Sequence, residues 1–125
     1  MKECFINFSN HPSSRWGDKQ RNVAEAYGPI CDLPFPPIGS LLSEDEVLDQ
    51  VRNYRDQIIQ MHPAAVMCQG EFTFTFALVQ ELLKAGITCV SACSERNVEE
   101  HIEKNGTTKK KVTFQFVKFR EYRLL

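Results

Sequence analysis

The chain has 125 residues, of which 42% are hydrophobic and 25% are charged, and its formal net charge is −1. This length and composition predict one globular domain, 1–125, and the balanced charge gives no global basic field, so we do not expect duplex nucleic acid as a partner. No apolar run approaches the length of a bilayer span, and no signal peptide precedes the first predicted strand, so we expect a cytoplasmic protein without membrane contact.

The first predicted strand, Cys4 to Phe8, is a short apolar run rich in aromatic and β-branched residues. Such a run is typical of a strand in a sheet that is covered on both faces. It ends in the polar turn Ser9 to Pro12, after which Ser13 or Ser14 can cap a helix from about Ser14 to Tyr27. Open α/β sheets bind ligands, usually anionic ones, at such a strand-turn-helix junction.

The next segment predicts a strand, a rigid loop and a second helix. The strand is Ile30 to Leu33, and the prolines of 34–39 prevent it from continuing. The second helix begins at the capping box Ser43-x-x-Glu46 and is stopped by His62-Pro63. Four residues recur at helical spacing and predict its buried face: Val47, Val51, Tyr54 and Ile58.

A third strand-turn-helix unit follows. The strand is Ala64 to Cys68, the turn is Gln69-Gly70-Glu71, and the helix runs from about Phe72 to Ala85. Because apolar residues occupy two faces of this helix, we expect it to be buried on nearly all sides. The fourth strand is predicted from Ile87 to Ala92.

The chain ends in a predicted hairpin. Two strands, about 99–104 and 107–117, flank Asn105-Gly106, and a change in the alternation predicts a β-bulge near Phe116. The whole order predicts an α/β fold: a Rossmann-like three-layer sandwich with a parallel sheet of order 2-1-3-4 and an antiparallel C-terminal hairpin at one edge.

The cysteines lack the spacing of a metal or redox site. They are Cys4, Cys31, Cys68, Cys89 and Cys93. The first four fall in different predicted strands, which favours reduced structural thiols. No His or Cys cluster has metal-ligand spacing, and neither a Gly-rich dinucleotide motif nor a P-loop is present. We therefore expect neither a metal nor a cofactor.

In the predicted sheet order, the turns after the first, third and fourth strands meet at one crevice. Guanidinium groups and helix N-terminal amides bind phosphate, so a phosphorylated or nucleotide ligand suits this crevice. The ligand-binding candidates are Ser9, Asn10, Ser13, Ser14, Trp16, Gly70, Thr73, Ser94, Glu95 and Arg96. The catalytic candidates are His11, Arg15 and Glu71, which supply an imidazole, a guanidinium and a carboxylate.

Several of these residues also have a purely structural interpretation. Ser13 and Ser14 can serve as helix caps, and Glu71 can complement the dipole of the helix that it precedes. Glu95 and Arg96 can form a surface ion pair, and Trp16 can belong to the core or its rim.

The segment Ile6-Asn-Phe-Ser-Asn-His-Pro-Ser-Ser-Arg-Trp16, on a short α/β body, resembles the small CARF-like proteins of type III CRISPR systems, which include standalone ring nucleases. The resemblance implies a homodimer that binds a cyclic oligoadenylate across its two-fold axis. It also implies metal-independent cleavage, in which the ligand's 2′-hydroxyl attacks the adjacent phosphate. By position, 9–15 would be the ligand turn and 94–96 a second clamp, with His11 as general acid or base and Arg15 and Arg96 stabilising phosphate charge.

Two classes of function follow. The first is a nucleotide-binding sensor or ring nuclease, and the second is a non-catalytic subunit that pairs with itself or a partner through its long C-terminal strand and its Phe-rich helix. A small-molecule phosphate-ester enzyme is a third possibility without a dedicated motif.

Overall fold

The computed structural model describes residues 3–125. In chain order its elements are β1 (Phe5–Ser9), a 3-10 turn (Ser13–Arg15), α1 (Asp18–Glu25), β2 (Ile30–Asp32), α2 (Glu44–Gln60), β3 (Ala65–Gln69), α3 (Phe72–Lys84), β4 (Cys89–Ile102) and β5 (Thr108–Glu121). Met1 and Lys2, which stand before the predicted first strand, lie outside the described residues.

The five strands form one sheet in the order β2-β1-β3-β4-β5. The first four are parallel and β5 pairs antiparallel with β4, which confirms the predicted order and the edge hairpin. The sheet is curled into a half-barrel, so the architecture is a mixed α/β fold rather than a clear Rossmann-like sandwich. Two-stranded ribbons and β-bulges twist more strongly than strands inside a wide sheet, and both occur along β4 and β5.

Apolar side chains are buried on both faces of the sheet. Successive residues of a strand point to opposite faces, and the first central strand shows this directly: Ile6 and Phe8 pack with α2 and α3, whereas Phe5 packs with Ala24 of α1. All five residues of β1 are buried. The strand β1 therefore lies at the centre of the core, with packed side chains on both faces and a paired strand on either side.

The second helix has the predicted form. The Ser43 hydroxyl accepts the backbone N–H of Glu46, and the Glu46 carboxylate accepts that of Ser43, so the capping box is complete. Val47, Val51 and Ile58 are buried. Here the local sequence and the tertiary packing favour the same structure.

The third helix has the predicted bounds but is buried on one side only. Phe74, Leu78 and Leu82 are fully buried, whereas Phe72 is 89% exposed and Phe76 is 67% exposed. The prediction of burial on nearly all sides was wrong, because the curled sheet covers a single face of α3. The exposed Phe72 is available to other contacts.

The first helix starts later than predicted. A 3-10 turn occupies Ser13–Arg15, and α1 begins only at Asp18 after the N-cap Gly17, which offers no side-chain cap. Ser13 and Ser14 therefore do not cap α1. The polar segment after β1 is longer than predicted. Arg15 ends the 3-10 turn and Trp16 follows it, so neither residue belongs to α1.

The fourth strand does not end at Ala92, as was predicted, but continues to Ile102 and pairs with β5 along its whole length. Residues 94–102 and 108–117 form a two-stranded extension, called the ribbon below. Its register shifts after Cys93, which pairs with Lys118, while Ser94 pairs with Phe116. Val117 is thus the extra residue, which confirms the bulge predicted near Phe116.

The bulge places two aromatic rings on the same face of β5. Phe116 packs on Phe119 with ring centroids 4.9 Å apart, and Phe119 packs on Phe5 and on Trp16 at 5.1 and 6.4 Å. Residues three apart share a face of a strand only where an extra residue intervenes. This aromatic chain joins the base of the ribbon to the core and to the turn after β1.

All five cysteines are free thiols. Cys31, Cys68 and Cys89 lie in strands, and Cys4 directly precedes β1. Burial raises the pKa of the Cys89 thiol to about 12, and burial also raises the pKa of the Cys68 thiol. Within residues 3–125, no helix is long and apolar enough to cross a membrane.

Candidate functional site

A cavity of about 740 Å³ lies at the carboxyl ends of β1 and β3, beside Ser91 and Ala92 near the start of β4. Volumes of this size are typical of sites for small ligands. Six of the predicted site residues line it: Ser9, Asn10, His11, Arg15, Trp16 and Gly70. The predicted meeting of the first and third turns at this edge of the sheet is therefore present.

The remaining predicted residues lie outside the lining of this cavity. They are Ser13, Ser14, Glu71, Thr73, Ser94, Glu95 and Arg96. Glu71 and Thr73 belong to the start of α3, Ser13 and Ser14 to the 3-10 turn, and 94–96 to the ribbon. Each group has its own physical reason for this position.

Glu71 is the N-cap of α3. Its carboxylate accepts the backbone N–H of Thr73 and of Phe74, the latter at 3.1 Å, and also the Thr73 hydroxyl. The hydrogen bond from the Thr73 hydroxyl is the main cause that lowers the pKa of Glu71. Because this carboxylate already occupies the helix N-terminus, the amides of α3 are not free to bind a ligand anion.

The ribbon carries the fourth-strand candidates away from the cavity. Ser91 and Ala92 line the cavity, but Arg96 lies five residues beyond Ser91 in an unbroken strand. At the rise of an antiparallel strand this separation is about 17 Å. The predicted convergence of 94–96 with the other two turns at this cavity was wrong, because the strand continues where an exit turn was expected.

A buried polar network, which the sequence did not reveal, holds the turn after β1. The Asn7 side chain is 2% exposed. Its amide nitrogen donates to the backbone carbonyl of His11 at 2.9 Å and to the Asp32 carboxylate at 3.0 Å, and its amide oxygen accepts the Ser9 hydroxyl at 2.6 Å. Asn7 thus fixes the backbone from which the His11 imidazole projects.

The same network fixes the 3-10 turn. Asp32, at the end of β2, accepts the backbone N–H of Ser13 through both carboxylate oxygens, at 3.2 and 3.1 Å. The Arg21 guanidinium on α1 donates to the Ser13 carbonyl at 2.6 Å. Charged partners on either side therefore hold Ser13 by its backbone, which sets the position of Arg15 two residues later.

Further residues line the cavity that were not among the predicted site residues. They include Gln20, Gln69, Phe72, Thr75 and Tyr122. The Gln69 side chain accepts the backbone N–H of Ala92 at 2.6 Å, and the Tyr122 hydroxyl donates to the Cys68 carbonyl at 2.9 Å. The position of Gln69 in the turn predicted after the third strand was the available signal for that residue, whereas Tyr122 depends on the antiparallel return of β5.

The cavity wall also contains a hydroxyl without a hydrogen-bond partner. Thr75 is 9% exposed, and its Oγ1 is the only such buried side-chain atom within residues 3–125. It lies near the Cys68 thiol, whose raised pKa it moderates slightly. A thiol is a weak hydrogen-bond partner, so this part of the wall is less satisfied than a native core usually is.

The electrostatics of the cavity favour an anion. Arg15 is the one permanently charged side chain in its described lining, His11 is the one imidazole, and that lining contains no carboxylate. Gly70 permits close packing beneath the site, because a Cβ at this position would meet the ring of Phe35. Among the described residues, no three His, Cys, Asp or Glu side chains are grouped so that they could hold a metal ion.

A family model matches residues 3–120. The chain belongs to the Uncharacterized protein MJ1673 family. The match includes every lining residue of the cavity except Tyr122. Neither the search of curated proteins nor the search of solved structures gave a match.

Proposed function

We propose that the cavity binds a cyclic oligoadenylate or a related nucleotide. We also propose that the protein acts in the cytoplasm as a homodimer, and that its fold is derived from the Rossmann-like arrangement. The observation that carries the proposal is the combination of one unpaired guanidinium with one half-buried and one exposed aromatic ring, in a cavity whose described lining contains no carboxylate. Arg15 is exposed and forms no ion pair within residues 3–125. Trp16 and the 89% exposed Phe72 line the same cavity.

Arg15 supplies the contact to phosphate. A guanidinium presents paired N–H donors that match two phosphate oxygens, and it stays charged at every physiological pH. The backbone of the turn that carries it is held by Asp32 and Arg21, so the ligand does not have to order this segment when it binds. A cation on an ordered turn, in a cavity whose described lining has no competing anion, favours a phosphorylated ligand.

The aromatic residues supply the contact to a base. Trp16 already packs edge-on against Phe5, with ring centroids 6.2 Å apart, so its position is set by the core. Phe72 has no aromatic partner among the described residues and is held by its place at the start of α3. Purine rings stack on such side chains with little dependence on base identity.

The resemblance to ring nucleases extends the proposal to cleavage. In that reaction the ligand's 2′-hydroxyl gives up its proton and attacks the adjacent phosphorus. The bond from phosphorus to the 5′-oxygen breaks, leaving a 2′,3′-cyclic phosphate and a protonated 5′-hydroxyl. In this proposal His11, which lines the cavity, takes or returns the proton, and Arg15 stabilises the charge on the non-bridging oxygens.

The test is thermal unfolding in the presence of nucleotides and cyclic oligoadenylates. A ligand at one hundred times its Kd stabilises by about 2.7 kcal/mol, which raises the Tm of a domain of this size by about 10 °C. We expect such a shift with an adenylate ligand and its loss in Arg15→Ala. Arg52→Ala is the matched control, because Arg52 is exposed on α2 and pairs with Asp49. The absence of a shift across the whole panel would refute the proposal.

Cleavage is tested on the same ligands. We expect conversion to a 2′,3′-cyclic phosphate that persists in chelator and is lost in His11→Ala with binding retained. Full activity of His11→Ala would remove this imidazole from the mechanism.

A second candidate is a non-catalytic interaction subunit. The ribbon favours it, because one of its faces carries four exposed apolar side chains: Val98, Ile102, Val112 and Phe114. A two-stranded ribbon is marginally stable in water unless one face is covered. A protein that shows no ligand-dependent shift but self-associates, with loss of association in Val112→Ser, would support this alternative.

A further inference from the structure

A second cavity, of about 550 Å³, lies between the start of α1 and the ribbon. Three residues line both this cavity and the one at the carboxyl ends of β1 and β3: Arg15, Trp16 and Gln20. Because three residues are shared, the two cavities are adjacent parts of one groove. The ribbon therefore adds a compartment to the site, which we call the ribbon compartment.

The ribbon compartment has an aromatic wall. Phe114 and Phe116 line it from β5, and Ser94 lines it from β4. Phe116 is anchored by its packing on Phe119, whereas Phe114 is 71% exposed. An exposed ring beside an anchored one offers a flat apolar surface of the kind on which a nucleobase stacks.

The compartment also has an excess of positive charge. Lys19 lines it together with the shared Arg15, against the single carboxylate of Asp18. Arg96 pairs directly with Phe114 across the two strands, and therefore projects from the same ribbon face. Arg96 lines neither cavity, but its place beside Phe114 adds a third positive charge next to the ribbon compartment.

We infer that the ribbon compartment binds a second nucleotide unit of the same ligand, with its base on Phe114 and its phosphate near Arg15, Lys19 and Arg96. This inference rests on the proposed function. The inference specifies the substrate class, because an oligonucleotide that spans both cavities is then preferred to a mononucleotide. The internucleotide phosphate of such a ligand lies at Arg15, the cation that lines both cavities.

The experiment compares the affinities of two probes, 5′-AMP and the linear tri-adenylate pApApA, by titration calorimetry. Wild-type protein is expected to bind pApApA at least tenfold more tightly than 5′-AMP. Phe114→Ala is expected to weaken pApApA about tenfold and to leave 5′-AMP unchanged. Arg96→Ala is expected to weaken pApApA and to reduce the dependence of its affinity on salt.

Val112→Ala is the matched control, because Val112 lies on the same ribbon face but does not line the compartment. It is expected to leave both affinities unchanged, which separates loss of a base contact from loosening of the ribbon. Equal affinities of wild-type protein for the two probes, or equal weakening of both probes in Phe114→Ala, would overturn the inference and leave the proposed nucleotide site standing. Failure of both probes and of the cyclic oligoadenylates to bind would overturn both.

Discussion

Asn7→Ala tests whether the buried network positions the turn that carries His11 and Arg15. The substitution removes three hydrogen bonds, to His11, Asp32 and Ser9, from a side chain that is 2% exposed. At about 1 kcal/mol for each bond, the free energy of unfolding falls by about 3 kcal/mol. That is a large part of the total stability of a domain of this size.

Asn7→Asp separates the loss of donors from the loss of volume. The replacement has the same shape, but it places a carboxylate oxygen where the Asn7 amide nitrogen now lies 3.0 Å from the Asp32 carboxylate. Burial beside a second carboxylate raises the pKa of the new carboxyl in the folded state above its unfolded value. The loss of stability is therefore greatest at high pH and becomes smaller as the pH falls through the folded pKa.

Urea unfolding monitored by tryptophan fluorescence measures both variants. With a slope of about 2 kcal/mol/M, a loss of 3 kcal/mol lowers the midpoint by about 1.5 M. The Asn7→Asp midpoint should approach that of wild-type protein between pH 7.5 and pH 4.5, whereas the Asn7→Ala deficit should change little. Wild-type midpoints for both variants at pH 7.5 would refute the claim that Asn7 holds this turn.

Two further predictions concern the turn before α3. Gly70→Ala places a Cβ against the ring of the buried Phe35, so we expect the free energy of unfolding to fall by about 2 kcal/mol. The smaller side chain of Phe35→Leu should recover part of this loss in the double variant. Simple additivity of the two single changes in this double-mutant cycle would contradict the contact. Glu71→Ala removes the N-cap of α3 and is expected to cost about 1 kcal/mol, with Glu71→Asp as the control that keeps a capping carboxylate. The pKa of Glu71 is lowered in the folded protein. The stability lost in Glu71→Ala should therefore be full at neutral pH and should vanish as the pH falls through the folded pKa of Glu71. A loss of stability that does not depend on pH would show that the charge of Glu71 is irrelevant.

Where local rules and packing agreed, the sequence predicted the structure closely. The capping box at Ser43 and Glu46 and the bulge near Phe116 were predicted from short-range patterns, and the strand order was predicted from the right-handed crossover rule. The final fold opposes none of them. The turn after β1 was also predicted as part of a cavity. Its residues must lie at the carboxyl edge of the sheet once the first strand is central.

The site was predicted less completely, because several of its positions depend on partners distant in sequence. Glu71 was predicted as a catalytic candidate, and the structure shows it as a helix cap. The 94–96 segment was predicted to leave the sheet, but pairing with β5 extends it into the ribbon. Asn7 was counted as an apolar-strand residue, and its role depends on Asp32, which is 25 residues away.

The sequence by itself determined which segments form strands and helices, because these depend on periodicity, caps and turns within a few residues. It also determined the order in which the parallel strands pair, because right-handed crossovers leave few arrangements. Only the tertiary structure decided how far β4 extends and which hydroxyls and carboxylates are hydrogen-bonded within the protein. It also decided that the ribbon adds a second cavity beside the first. Such features depend on contacts between segments far apart in the chain, and a polar residue gives no local sign of whether its partner is protein or ligand.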